Sequence, residues 1–137
     1  MMMQPIEDTI QFFPVMVPAG FPSAAPDYIT EEIDLNKFLK GNSDSACIIR
    51  VQGDSMIGAH ITDNSLLVVD RSMKPRHNAI VVAIVNGEYT VKRLSMMKGV
   101  VSLVPANVQY KPLIITQEMQ FEIWGVVTSI IINAKQL

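Results

Sequence analysis

The chain has 137 residues and 49% hydrophobic content, which suits one folded domain with a continuous core and excludes disorder throughout. Its formal charge of -2 supplies no basic field, which argues against strong direct binding of DNA or RNA by the chain itself. The single cysteine, Cys47, can form no intramolecular disulfide, and the expected setting is a reducing cytoplasm.

The N-terminal stretch MMMQPIEDTIQFFPVMVPAG lacks a basic leader region and is interrupted by Pro5, Pro14 and Pro18, so it does not read as a signal peptide. Residues 1 to about 26 show neither helical nor strand period and predict an extended arm. Phe12, Phe13, Val15, Met16, Val17 and Phe21 would be costly to leave in water, which predicts that the arm lies in a groove of its own domain or of a partner. The next stretch, DYITEEIDLNKFLK over 27–40, predicts a short helix or helical turn. Asp34 is placed to cap LNKFLK and Gly41 to stop it.

From Ala46 onward the pattern changes to short β-branched runs: ACIIRVQ, SLLVVD, AIVVAIV, EYTVKRL, VVSLV, PLIIT and FEIWGVVTSIII. Gly, Pro, Asn, Asp and Ser separate them, so the expectation is a mostly β domain of about seven strands. Asn86-Gly87 fits a two-residue type I′ turn and predicts a hairpin between AIVVAIV and EYTVKRL. The longest apolar run, Ala79 to Val85, is too short to cross a bilayer, and no membrane association is expected. Trp124 and Ile130 in the last run are assigned to the core, and Cys47 beside Ile48 and Ile49 to a buried small hydrophobe. No metal-ligand cluster or phosphate loop is visible, so neither a metal nor another cofactor is implied.

The stretch Gln52-Gly53-Asp54-Ser55-Met56-Ile57 sets a small polar cluster between strand-like runs. A serine hydroxyl there is either a turn residue or a nucleophile, and a nucleophilic role needs a nearby base. His60 and His77, with Asp63 or Asp70, could form a triad with Ser55, but both histidines sit in loop-like segments and are expected to face solvent. Lys92 lies instead within the strand-like run Tyr89 to Leu94, sharing a face with Thr90 and Leu94 while Arg93 points away. Burial there would disfavour the ammonium and leave an amine able to accept a proton. Lowering a lysine from about 10.4 to about 7 or 8 corresponds to roughly 3 to 5 kcal/mol, within reach of a packed core. The residues alone also allow a Lys92 that faces outward and snorkels.

The tetrapeptides Gly53-Asp54-Ser55-Met56 and Val91-Lys92-Arg93-Leu94, with Ala19-Gly20 upstream, resemble the hallmarks of the LexA/UmuD family of self-cleaving Ser-Lys proteins. The three occur in that family's order, and the likeness runs from about Phe12 to the C-terminus. Too few residues precede Gly20 for a helix-turn-helix domain, and FPSAAPDY followed by IDLNKFL resembles the UmuD/MucA type rather than the repressors. One departure is Ala19, where UmuD has cysteine and LexA has alanine.

The resemblance implies a LexA/signal-peptidase-like β-rich domain preceded by an extended arm. Residues 1–40 would hold the cleavage site and a short helical segment, and 41–137 the catalytic domain. It implies Ser55 as nucleophile, Lys92 as general base, the backbone amides of Asp54 and Ser55 as oxyanion donors, and Ala19-Gly20 as the cleaved bond. The implied partners are a second copy in a homodimer, the RecA filament on single-stranded DNA, and the catalytic subunit of an error-prone translesion DNA polymerase. Two rival readings are a non-catalytic β-rich interaction module on the same scaffold and a signal-peptidase-like Ser-Lys protease.

Overall fold

The computed structural model describes residues 8–24, 27 and 29–137, and the chain divides into two compact units, 1–42 and 43–137. In the first unit, Ile10–Phe12 (β1) pairs antiparallel with Glu31–Ile33 (β2), with Ile10 opposite Ile33. A three-residue strand is too short to display alternation, which is why the arm's sequence shows no period there. The helix Leu35–Lys40 (α1) begins where Asp34 Oδ1 accepts the N–H groups of Asn36 and Lys37, at 3.0 and 3.4 Å. It ends where Gly41, at φ 60°, donates its N–H to the Lys37 carbonyl. Of the stretch expected to be helical, LNKFLK is, while Glu31–Ile33 spend their backbone groups on β1 instead.

The second unit is one seven-stranded antiparallel sheet. Its strands in chain order are Ala46–Arg50 (β3), Leu66–Asp70 (β4), Ile80–Val85 (β5), Glu88–Met97 (β6), Val100–Val104 (β7), Leu113–Ile114 (β8) and Phe121–Ile131 (β9). In space the order is β3-β4-β9-β5-β6-β7-β8, so the last long strand is inserted between β4 and β5. The hairpin β5-β6 turns at Asn86 and Gly87, both at positive φ (49° and 83°), with Val85 opposite Glu88.

The unbroken apolar run of β5 has a packing reason. Val82 faces one core with Met56, Ile61, Leu67 and Val69, while Val81 and Ala83 face another with Leu94, Leu103 and Val126. A strand covered on both faces cannot alternate apolar with polar. β9 passes so near β4 that a Cβ on Gly125 would come within 2.4 Å of Val69 Cγ1, and glycine permits that approach. Cys47 and Ile130 are half-buried against the Met56 core. No helix among the described residues is long and apolar enough to cross a membrane.

Candidate active site

The segment between β3 and β4 carries Gly53-Asp54-Ser55-Met56. Gly53 adopts φ 102°, which favours glycine, and donates its N–H to Asp63 Oδ1 at 2.8 Å. Met56 is buried in the core, so the half-buried Ser55 is tethered by its neighbour. The loop then lies against the segment after β7: Gly58 N–H donates to the Ala106 carbonyl at 2.7 Å, and Ala106 N–H to the Ser55 carbonyl at 2.9 Å. A Cβ on Gly58 would stand 2.6 Å from the Ala106 oxygen, so this contact requires glycine.

Lys92 on β6 reaches that loop from a distance of 37 residues in sequence. Its Nζ lies 3.0 Å from Ser55 Oγ, 2.8 Å from Thr90 Oγ1 and 3.0 Å from the Val91 carbonyl oxygen. Burial pushes its pKa below the ordinary lysine value, because a half-buried ammonium is poorly solvated. A neutral amine has two N–H donors and one lone pair. Thr90 Oγ1 and the Val91 carbonyl can take the two donors, which leaves the lone pair for the Ser55 hydroxyl. That arrangement can draw a proton from Ser55.

Beside the pair opens a cavity of about 520 Å³, lined by Ser55, Lys92, Val51, Tyr89, Val91 and Trp124 among others. Trp124 packs on the Met56 core and meets Tyr89 edge-on, with ring centroids 6.0 Å apart. Arg71 stacks 4.3 Å from the Trp124 ring centroid and donates from Nε to the Trp124 carbonyl, which holds the indole in place. The cavity therefore has a rigid aromatic and aliphatic wall next to a polar corner.

The remaining sequence candidates divide. The N–H groups of Asp54 and Ser55 donate to no acceptor among the described residues. Ala19 and Gly20 lie at a bend of the first unit, and a Cβ on Gly20 would meet nothing within 4 Å, so the arm's own packing does not demand glycine there. His60 and His77 are exposed; His77 Nδ1 accepts the Met96 N–H. Asp63 is bound to Gly53, and Asp70 accepts from Ser43 and Ser72, so neither carboxylate orients a histidine. Among the described residues no group of three or more His, Cys, Asp or Glu is gathered as a metal site.

Two residues that sequence reasoning missed also reach the loop. Asn107 Nδ2 donates to the Asp54 carbonyl at 3.0 Å, and the Tyr110 hydroxyl donates to Asp54 Oδ1. The latter bond, with the carboxylate's charge, raises the Tyr110 pKa. More than 50 residues separate each from Asp54, and no local pattern marks them.

Residues 11–128 match the family described as Peptidase S24-like. The protein SamA of Salmonella typhimurium is 41% identical over 128 residues, 93% of this chain and 89% of SamA. MucA of Escherichia coli is 38% identical over 126 residues, 91% of this chain and 86% of MucA. The LexA repressor of Desulfatibacillum aliphaticivorans is 38% identical over 117 residues, 84% of this chain but 57% of the repressor. With this matched span, and with relatives aligned over most of both chains, the chain belongs to the Peptidase S24-like family.

Proposed function

We propose that the chain is a UmuD-like SOS mutagenesis protein that cuts itself once between Ala19 and Gly20. Residues 1–40 serve as the substrate arm and 41–137 as the catalytic domain. The observation that carries this reading is Lys92 Nζ at 3.0 Å from Ser55 Oγ, with burial lowering its hold on a proton. The family membership and the MucA and SamA likeness support it.

The arm enters the cavity beside Ser55, and neutral Lys92 takes the hydroxyl proton as Ser55 Oγ attacks the Ala19 carbonyl carbon. The oxyanion is held by the N–H groups of Asp54 and Ser55. Lys92 returns its proton to the Gly20 nitrogen, which leaves, and Ala19 remains as an ester on Ser55. Water then hydrolyses that ester, with Lys92 again taking a proton and Ser55 recovering its own. Ala19 and Gly20 suit this pose because small residues allow close approach, while Pro18 and Pro22 keep the flanks extended. Met16, Val17 and Phe21 expose their side chains, and apolar residues flanking the bond suit a cavity walled by Tyr89, Val91 and Trp124.

Because substrate and catalyst share a chain, their effective concentration is high and conformation must restrain the reaction. By family likeness, the RecA filament on single-stranded DNA promotes docking of the arm in the cytoplasm. The product beginning at Gly20 then acts as a homodimer with the catalytic subunit of an error-prone DNA polymerase.

The test is incubation at alkaline pH, and at neutral pH with RecA, ATP and single-stranded DNA, followed by mass spectrometry and N-terminal sequencing. A product beginning at Gly20 is expected from the wild type and from neither Ser55→Ala nor Lys92→Ala. A wild-type chain that stays intact under both conditions would return the reading to a non-catalytic module.

A further inference from the structure

The segment 106–110 grips the serine loop at several atoms, and Lys92 takes part in none of those bonds. A trans peptide is planar, so its C=O and N–H point in opposite directions. In the peptide joining Asp54 to Ser55, the carbonyl accepts from Asn107 Nδ2 at 3.0 Å and from the Ile57 N–H at 3.2 Å. The Ser55 N–H therefore points away from Asn107, and it donates to no acceptor among the described residues. Asn107 is itself oriented, because its Oδ1 accepts the Gln109 N–H at 3.0 Å, leaving Nδ2 for Asp54. Ala106 N–H holds the Ser55 carbonyl on the other side of the residue. The Tyr110 hydroxyl holds the Asp54 carboxylate, a charge that would oppose a nearby oxyanion if it swung toward it.

We propose that Asn107 is a positioning residue of the oxyanion site: by holding the Asp54 carbonyl it aims the Ser55 N–H at the oxygen of the reacting Ala19 carbonyl. This rests on the self-cleavage reading above. Asn107 touches no reacting atom and acts through the peptide plane, which it also polarises. Tyr110 adds a second restraint on the same residue.

The experiment is the pH–rate profile of Gly20 N-terminus release in wild type, Asn107→Asp and Asn107→Ala, with thermal unfolding of each. Asn107→Asp keeps an oxygen for the Gln109 N–H but has no N–H for the Asp54 carbonyl. The expected result is an alkaline plateau rate lowered roughly 10- to 100-fold, below the roughly 100- to 1,000-fold cost of deleting an oxyanion donor outright. The midpoint of the profile, set by Lys92, should not move in Asn107→Ala, which adds no charge. If Asn107→Asp does not fold, Asn107→Ala decides by the same two readouts. An unchanged plateau overturns the inference, as does a plateau that falls together with a shifted midpoint in Asn107→Ala, since Asn107 would then act through the burial of Lys92. A wild type that cleaves while both variants match it overturns this inference alone. A wild type that does not cleave overturns the function reading and this inference with it.

Discussion

The two units differ in how they are held. In the first, none of the described residues is buried, and regular structure consists of a three-residue ladder and a six-residue helix. In the second, every fully buried hydrophobic residue of the described chain is found, across two cores on either face of the sheet. Stability follows buried apolar area, so the second unit is costly to deform and the first is cheap to rearrange. The self-cleavage reading proposed above would use that contrast, with the first unit as substrate and the second as catalyst. Under that reading, the Ser55–Lys92 pair, 3.0 Å apart, lies on the well-packed unit and the Ala19-Gly20 bond on the lightly packed one.

The most severe way to test this division is chemical. Ser55→Ala or Lys92→Ala should reduce release of the Gly20 N-terminus by about 1,000-fold or more, measured by mass spectrometry over time. Thermal unfolding of the sheet should change little in Ser55→Ala, because only one half-buried hydroxyl is lost. A second test concerns packing. Leu67→Ala should cost about 2 to 5 kcal/mol in denaturant unfolding, whereas Ile33→Ala, at the half-buried residue of β2, should cost about 1 kcal/mol or less. Equal costs would erase the distinction between the units.

The pH profile sharpens it further. Protonated Lys92 cannot accept the Ser55 proton, so the cleavage rate should rise with pH through the lowered pKa and level off below the ordinary lysine value of 10.5. Thr90→Val removes an oxygen that favours the ammonium more than the amine, so the midpoint should move still lower while a less well-aimed Nζ slows the plateau. The smallest effect is local. Asp34→Ala removes the cap of α1 and should cost that helix about 0.5 to 2 kcal/mol, seen as faster amide exchange at Asn36 and Lys37 with the alkaline rate of Gly20 N-terminus release unchanged.

Much of the fold was legible because its signals are local. Asn86-Gly87 marks a turn that needs positive φ, Asp34 and Gly41 bracket LNKFLK, and the β-branched runs locate the strands of the large sheet. β1 and β2 escaped notice because three residues carry no period, and PLIIT shrank to Leu113–Ile114 as an exposed sheet edge. At the site, strand alternation grouped Lys92 with Thr90, and the two hydrogen-bond as that grouping implies.

By itself the sequence determined which residues could be strands, where the chain must turn, and which family it belongs to, and it offered Ser55 and Lys92 as candidates. Those properties depend on residue type and on neighbours a few positions away. Only the tertiary structure decided that β9 inserts between β4 and β5, that Ser55 and Lys92 meet across 37 residues, and that Asn107 and Tyr110 hold Asp54. Period-two alternation states which face a side chain takes. It does not state which strand lies opposite, and long-range strand order comes from the burial of the two cores together.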